Sequence, residues 1–138
     1  MKISARVQSS FGQQIITLAT NENSHTIDIP PKPTGYGSSA NGGELLFLAL
    51  ATCYCNDIYR EAARRGIEVT GVEVDVRGDF GAEGEPGRNV TYQARITGKA
   101  TAAALEDLAR HTDTVAEIQN TLRAGATVSL SEVEVLPV

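Results

Sequence analysis

The two cysteines of the chain, Cys53 and Cys55, are the residues best suited to nucleophilic or redox chemistry. They lie in an apolar run from Glu44 to Arg65 whose composition predicts one long helix. A thiol buried in such a helix acts as a small hydrophobic side chain, whereas a thiol at the edge of the core, beside suitable neighbours, becomes a nucleophile. From the residue types alone, both interpretations stay open.

Helical geometry separates the two thiols. Successive residues of a helix are turned by about 100°, so Cys53 and Cys55 point about 200° apart. Their Cβ atoms cannot converge on a disulfide, and the pair is not a Cys-x-x-Cys redox motif. The two histidines, His25 and His111, are scattered, so no metal site is predicted. At most one of the two cysteines is catalytic, and the other packs.

The composition excludes several classes of protein. A length of 138 residues with 41% hydrophobic composition predicts one domain over residues 1–138. A net charge of -5 without a basic stripe argues against binding to nucleic acid or to an anionic membrane. The stretch from Leu45 to Cys55 is too short to span a bilayer, and no signal peptide is apparent. We expect a soluble cytoplasmic protein with reduced thiols and no cofactor.

The predicted strands come in groups rather than alternating with helices. They cover residues 2–9, 14–20, 25–29, 68–80, 89–98 and 127–135. The long helix follows Asn41 and ends before Gly66, a second helix covers residues 101–110, and a third runs from 113 or 114 to Gly125. This order predicts an α+β fold rather than a doubly wound parallel sheet.

The two halves of the long helix differ in character. Its first half, from Leu45 to Ala51, is apolar on every side, which is typical of an enclosed helix. A chain of this size can hardly surround one helix completely, so we expect an intimate homodimer that does so. The second half carries charges that are expected to form a solvated face, namely Asp57, Arg60, Glu61, Arg64 and Arg65.

Several other residues have a candidate role. Glu44 lies three residues after Asn41, in the position of a capping box, and Glu117 has the same relation to Thr114. We therefore expect Glu117 to be a helix cap rather than a polar group facing a site. Tyr36 and Tyr54 are candidate walls of a substrate pocket, although each fits a core position equally well.

Three stretches of the chain carry a resemblance to a known family. Glu44-Leu45-Leu46 begins the long helix, which continues into Ala51-Thr52-Cys53-Tyr54. Arg64-Arg65-Gly66-Ile67 leads into a valine-rich strand, and residues 118–125 lead into 127–130. In these stretches and in its element order, the chain resembles the OsmC/Ohr family (osmotically inducible and organic hydroperoxide resistance proteins). The resemblance implies antiparallel sheets around a long buried central helix in an intertwined homodimer.

The resemblance also implies a chemistry. Cys53 would be the peroxidatic thiol that attacks an organic hydroperoxide and becomes a sulfenic acid, and an external thiol would restore it. Glu44 is the candidate catalytic carboxylate, displaced by one residue because Gly43 occupies the family position. The family's resolving cysteine is replaced by the pair Ala116-Glu117, and the family's arginine is absent from residues 9–14.

Two functions follow from these features. The first is a one-cysteine, thiol-dependent peroxidase (peroxiredoxin-like) of the peroxide-defence class, with an external thiol as reductant. The alternative is a non-catalytic OsmC-like dimer that binds a small apolar ligand and uses its thiols for packing. An arginine beside the Cys53 sulfur would favour the peroxidase, and Arg6 and Arg60 are the candidates in this chain.

Overall fold

A computed structural model describes all 138 residues as two compact units, residues 1–46 and residues 47–138. The elements in chain order are β1 (Ile3–Ser10), β2 (Gln13–Thr20), β3 (Asn23–Ile27), α1 (Gly42–Arg64), β4 (Glu68–Asp79), β5 (Arg88–Lys99), α2 (Ala102–Val115) and α3 (Glu117–Ala124). The predicted α+β class is confirmed, because all strand pairs are antiparallel and the strands and helices are grouped. The single domain stays a prediction. No helix combines the length and apolar composition that crossing a membrane requires.

The first unit is built on a three-stranded sheet in the order β1-β2-β3. Val7 of β1 lies opposite Ile16 of β2, and Leu18 lies opposite His25 of β3. Ile16 is buried, whereas every residue of β1 is exposed in the single chain. The sheet therefore keeps a largely uncovered apolar surface on its first strand.

The core of the second unit forms on one face of α1. Tyr54, Ile58 and Ala62 recur at every fourth position and so lie on the same side of the helix. They pack against Leu108 of α2, against Ile67 just before β4, and against the apolar face of β4 and β5, which contributes Val69, Val72, Val74, Tyr92 and Ile96. This packing fixes the rotation of α1, and with it the directions of both thiols.

Strand β4 contains a β-bulge that interrupts the alternation of its valines. Val69 pairs with Gly98 and Gly71 pairs with Thr97, so Thr70 is the extra residue between them. A bulge shifts the alternation of side chains by one residue, which is why Val69 and Val72 both reach the core face.

The ends of α1 follow the expected capping chemistry. The Asn41 amide donates to Glu44 Oε1 at 2.9 Å, and the Glu44 amide donates to Asn41 Oδ1 at 2.8 Å. At the other end Gly66 has a φ of 66°, and the Ile67 amide donates to the Ala62 carbonyl at 2.9 Å. The capping box and the glycine stop are both confirmed.

Two expectations about the C-terminal third are wrong. Helix α2 continues to Val115, and the break before α3 lies at Ala116, because the Thr114 hydroxyl donates back to the His111 carbonyl instead of capping a new helix. The predicted strand over residues 127–135 is absent from the single chain, where Val128 is 95% and Leu130 is 84% exposed. A strand-like sequence forms a strand only where a sheet edge pairs with it, and residues 126–138 pair with none here.

The core around Ile58 gives a graded test of the packing. Ile58 is fully buried, so Ile58→Val is expected to lower the free energy of unfolding by about 0.5–1.5 kcal/mol and Ile58→Ala by about 2–5 kcal/mol. Urea denaturation followed by circular dichroism measures both values. Equal, near-zero effects of the two substitutions would contradict this core assignment.

Candidate active site around Cys53

The structure places the two thiols in different surroundings. Cys53 faces the first turn of α3, whereas Cys55 lines a separate hollow of about 250 Å³ beside Val74 of β4. Both are free and half-buried. Their divergence agrees with the helical geometry, so only Cys53 has charged neighbours to work with.

Two carboxylates contact the Cys53 sulfur. Asp57 lies one turn further along α1, with its Oδ2 atom 3.7 Å from Sγ. Glu117 is the first residue of α3, with its Oε2 atom 3.6 Å from Sγ. A carboxylate only accepts hydrogen bonds, so the neutral thiol is the donor in either contact.

Arg60 joins these two carboxylates. Its Nη1 atom lies 3.0 Å from Asp57 Oδ1 and 3.2 Å from Glu117 Oε1. The guanidinium therefore bridges α1 and α3 at the thiol, and its contacts are with the carboxylates rather than with the sulfur. Of the two arginines proposed to assist Cys53, Arg60 therefore contacts the carboxylates beside the thiol rather than the thiol itself.

The N-terminus of α3 supplies a further contact. Ala116 precedes the helix and offers no capping side chain, so the first-turn amides need other partners. The backbone amide of Ile118 lowers the pKa of Cys53, and the backbone amide of Glu117 lowers the pKa of its own carboxyl group, because each stabilises the negative charge. The prediction that Glu117 is the capping partner of Thr114 is wrong, because Glu117 faces the thiol instead.

These contacts have opposing effects on the thiol. Burial raises the pKa of Cys53, the Ile118 amide lowers it, and the charges of Asp57 and Glu117 raise it further. The net direction is upward, so Cys53 is a protonated thiol at neutral pH. Burial, assisted by the two carboxylates, outweighs the Ile118 amide.

The pKa values of the two carboxyl groups shift in opposite directions. Burial and the neighbouring Glu117 raise the pKa of Asp57. Its own backbone amide, followed by the neighbouring Asp57 and Arg60, lowers the pKa of Glu117. Asp57 is therefore the more basic member of the pair, and the two share one environment.

Gln119 ties this part of α3 to α1. Its side chain is buried, and Nε2 donates to the Leu50 carbonyl at 3.0 Å. Because Gln119 comes two residues after Glu117, this bond holds the first turn of α3 against α1 at the level of Cys53. Nothing in the sequence pattern pointed to this role.

The same cluster has the donor set of a metal site. The ligand atoms of Cys53, Asp57 and Glu117 all lie within 4.8 Å of one another. A metal ion would require the Cys53 thiol to lose its proton. Arg60 already pairs with both carboxylates, so a cation would also have to displace its guanidinium.

The other predicted site residues lie elsewhere. Glu44 caps the start of α1, nine residues and about 13 Å along the axis from Cys53, and it is not among the groups that contact the thiol. Tyr36 is exposed, with its ring edge-on to Phe11 at a centroid distance of 5.3 Å.

Tyr54 belongs chiefly to the core. It is 3% exposed, its hydroxyl donates to the Ala109 carbonyl at 2.8 Å, and its ring meets Tyr92 at a centroid distance of 4.9 Å. Burial, followed by the charge of Asp113, raises the pKa of Tyr54 to about 12. What remains of its surface lies at the base of an open groove of about 670 Å³ lined by β5 and α2.

The sequence interpretation missed the charged part of the site. Asp57 and Glu61 were assigned to a solvated face, but they are only 6% and 4% exposed. This prediction is wrong because Arg60 and Arg64 neutralise the two carboxylates where they are buried. The available signal was spacing: positions i, i+4 and i+7 place Cys53, Asp57 and Arg60 on one face of a helix.

The environment of Cys53 predicts a weakly acidic thiol. In a Cys55→Ser variant, we expect the rate of alkylation by iodoacetamide to rise with pH to a midpoint above about 8.5, the value of a free cysteine. Burial and two carboxylates cause the shift. The Cys53→Ser variant gives the separate profile of Cys55 as a control. A midpoint below that of free cysteine would contradict the described environment.

Comparisons with known proteins agree with the fold. The family model described as "OsmC-like protein" matches residues 35–131. No curated protein matches the chain. An OsmC-like protein from Mycoplasma pneumoniae superimposes with a TM-score of 0.59 at 16% identity, covering 88% of this chain and 89% of that one. An organic hydroperoxide resistance protein from Elizabethkingia anophelis gives 0.56 at 16% identity, covering 91% and 93%.

A third solved structure extends the match along the chain. An OsmC-like hydroperoxide resistance protein from Jannaschia gives a TM-score of 0.56 at 14% identity, covering 96% of this chain and 90% of that one. At these identities the structures establish a shared fold, and the family model covers more than half of the sequence. The chain therefore belongs to the OsmC-like protein family.

Proposed function

We propose that the protein reduces organic hydroperoxides with Cys53 as the peroxidatic thiol, as part of peroxide defence. The observation that carries this proposal is the position of the Cys53 sulfur between two carboxylates and the Ile118 amide at the start of α3. Family membership supports it, as do the two structurally similar proteins that are named for hydroperoxide resistance. Cys55 lacks these neighbours and has no part in the reaction.

The reaction balances without a cofactor. The sulfur of Cys53 attacks the distal oxygen of the hydroperoxide, the S–O bond forms as the O–O bond breaks, and two electrons pass from sulfur to oxygen. The products are an alcohol and the sulfenic acid of Cys53. The Ile118 amide, at the positive end of α3, stabilises the thiolate that attacks.

The reductant must come from outside the chain. By its resemblance to the family, the chain has the pair Ala116-Glu117 in place of the resolving cysteine, and Cys55 lines a different hollow. An external thiol therefore condenses with the sulfenic acid and releases water. A second thiol, or the second sulfur of a dithiol, then attacks the mixed disulfide and restores Cys53.

The sulfenic acid is the product that tests this function. We expect stoichiometric tert-butyl or cumene hydroperoxide to convert Cys53 to a sulfenic acid that dimedone traps, with one adduct per chain by mass spectrometry. The Cys55→Ser variant should give the same adduct, and the Cys53→Ser variant none. If the wild-type protein gives no adduct, the non-catalytic, ligand-binding alternative replaces the peroxidase.

We also propose that the protein works as a homodimer. Residues 126–138 lie unpaired, and six of their apolar side chains are more than two-thirds exposed, namely Val128, Leu130, Val133, Val135, Leu136 and Val138. Leu46 and Leu48 on α1 are exposed as well. Apolar surface of this extent is typical of an interface, and a second copy of the chain, bringing its own uncovered sheet surface, is the partner that would bury it.

The tail offers a direct test of the dimer. Sedimentation equilibrium is expected to give twice the mass of the chain. Leu130→Asp should weaken the association at least tenfold, because burying a carboxylate in an apolar interface costs more than about 1.4 kcal/mol. Ser129→Asp, which adds the same charge at a polar position, is the matched control. A monomeric wild-type protein would contradict the proposal.

A further inference from the structure

We infer that Asp57 and Glu117 form a carboxylate pair that accepts the Cys53 proton during attack on the hydroperoxide and returns it to the leaving oxygen. This inference rests on the proposed peroxidase function and deepens it. It assigns proton transfer to two residues that lie outside the positions of the family's glutamate and arginine named above. Arg60 is a positioning residue in this scheme, because it holds both carboxylates and does not contact the sulfur.

The geometry meets the first requirement of a general base, which is contact with the proton it removes. The sulfur lies 3.7 Å from Asp57 Oδ2 and 3.6 Å from Glu117 Oε2, both within reach of an S–H donor. The charged groups that face Cys53 are Asp57 from α1 and Glu117 from α3, with Arg60 bridging them. No other carboxylate hydrogen-bonds to this thiol.

Because Cys53 is protonated at rest, its attack on the hydroperoxide requires a base. Only the thiolate is strongly nucleophilic, yet burial and the two negative charges keep Cys53 protonated at neutral pH. A nearby acceptor that takes the proton as the S–O bond forms removes this obstacle. The same two carboxylates that disfavour the free thiolate can therefore promote attack on the hydroperoxide by accepting the proton.

Charge bookkeeping favours transfer within the cluster. With a neutral thiol, two carboxylates and one guanidinium, the cluster has a formal charge of -1. Moving the proton from sulfur to a carboxylate leaves that charge unchanged, whereas releasing the proton to solvent raises the negative charge to -2. In a half-buried site, transfer of the proton within the cluster costs less free energy than its release to solvent, and the Ile118 amide stabilises the resulting thiolate.

The protonated carboxyl group completes the step. As the O–O bond breaks, the leaving alkoxide is far more basic than a carboxylate and takes the proton to become the alcohol. The carboxylate pair then has its starting charge. The Glu117 side chain is 60% exposed and Asp57 is 8% exposed, so Glu117 lies on the side open to the hydroperoxide and Asp57 on the core side.

Two reactions of the same sulfur separate proton transfer from simple electrostatics. Alkylation by iodoacetamide needs only the thiolate, whereas reduction of tert-butyl hydroperoxide also needs a proton for the leaving oxygen. We compare both rates at pH 7 in the full chain with Cys55→Ser as background. The variants are Asp57→Asn, Glu117→Gln and the double substitution, with Glu61→Gln as the matched control, which removes a buried carboxylate of α1 that does not contact the sulfur.

The expected result is that the two rates move in opposite directions. Loss of a carboxylate lowers the Cys53 pKa, so alkylation accelerates several-fold, while the rate of sulfenic acid formation falls at least tenfold and in the double variant about 100-fold. Glu61→Gln should leave both rates within about twofold of the parent, since it changes no group in contact with the thiol. If Asp57→Asn fails to fold, Glu117→Gln, whose side chain is exposed, gives the same comparison.

The outcomes distinguish this inference from the proposed function. If the hydroperoxide rate rises in parallel with alkylation, the carboxylates act only by repelling the thiolate, and the inference is overturned while the peroxidase stands. If the parent protein alkylates but forms no sulfenic acid with the hydroperoxide, the peroxidase fails and the inference fails with it. Opposite changes in the two rates support both.

Discussion

The site depends on the contact between the first turn of α3 and the middle of α1. The chain leaves α2 at Ala116 with an extended residue, and no side chain caps the helix that follows. The free amides of a helix N-terminus favour negative charge, and here they lower the pKa values of Cys53 and Glu117. Gln119 fastens the same turn to the Leu50 carbonyl. One junction thus completes a helix end and creates the surroundings of the thiol.

This junction explains how the chain differs from the family pattern that it resembles. The carboxylate of Glu117 contacts Cys53 from the start of α3, and the arginine near the thiol comes from α1, seven residues after Cys53. Arg60 pairs with the two carboxylates rather than with the sulfur, so its charge does not stabilise the Cys53 thiolate by direct contact. Under the proposed function, the reactivity of Cys53 depends on proton transfer to the neighbouring carboxylates, because the thiol is protonated at rest.

The predictable parts of the molecule are those set by local patterns. The fold class, the capping box at Asn41, the glycine stop at Gly66 and the divergence of the two cysteines all follow from periodicity and turn chemistry. The burial of Asp57 could not be predicted, because charged side chains alone do not reveal which partner approaches from a distant segment. Residues 127–135 failed as a strand for a related reason, since pairing depends on a neighbouring edge rather than on the residues themselves.

The exposed segment at residues 126–138 makes a single copy of the chain prone to aggregation. An unpaired apolar segment is a template for unspecific edge pairing, the first step of aggregation. Glu132 and Glu134 interrupt the apolar side chains, and Pro137 cannot donate a ladder hydrogen bond. Charges and a proline at such positions oppose edge pairing, which is the role of gatekeeper residues. In the proposed homodimer, the stability of the folded chain would depend on its concentration, because this surface is buried only when a second copy binds.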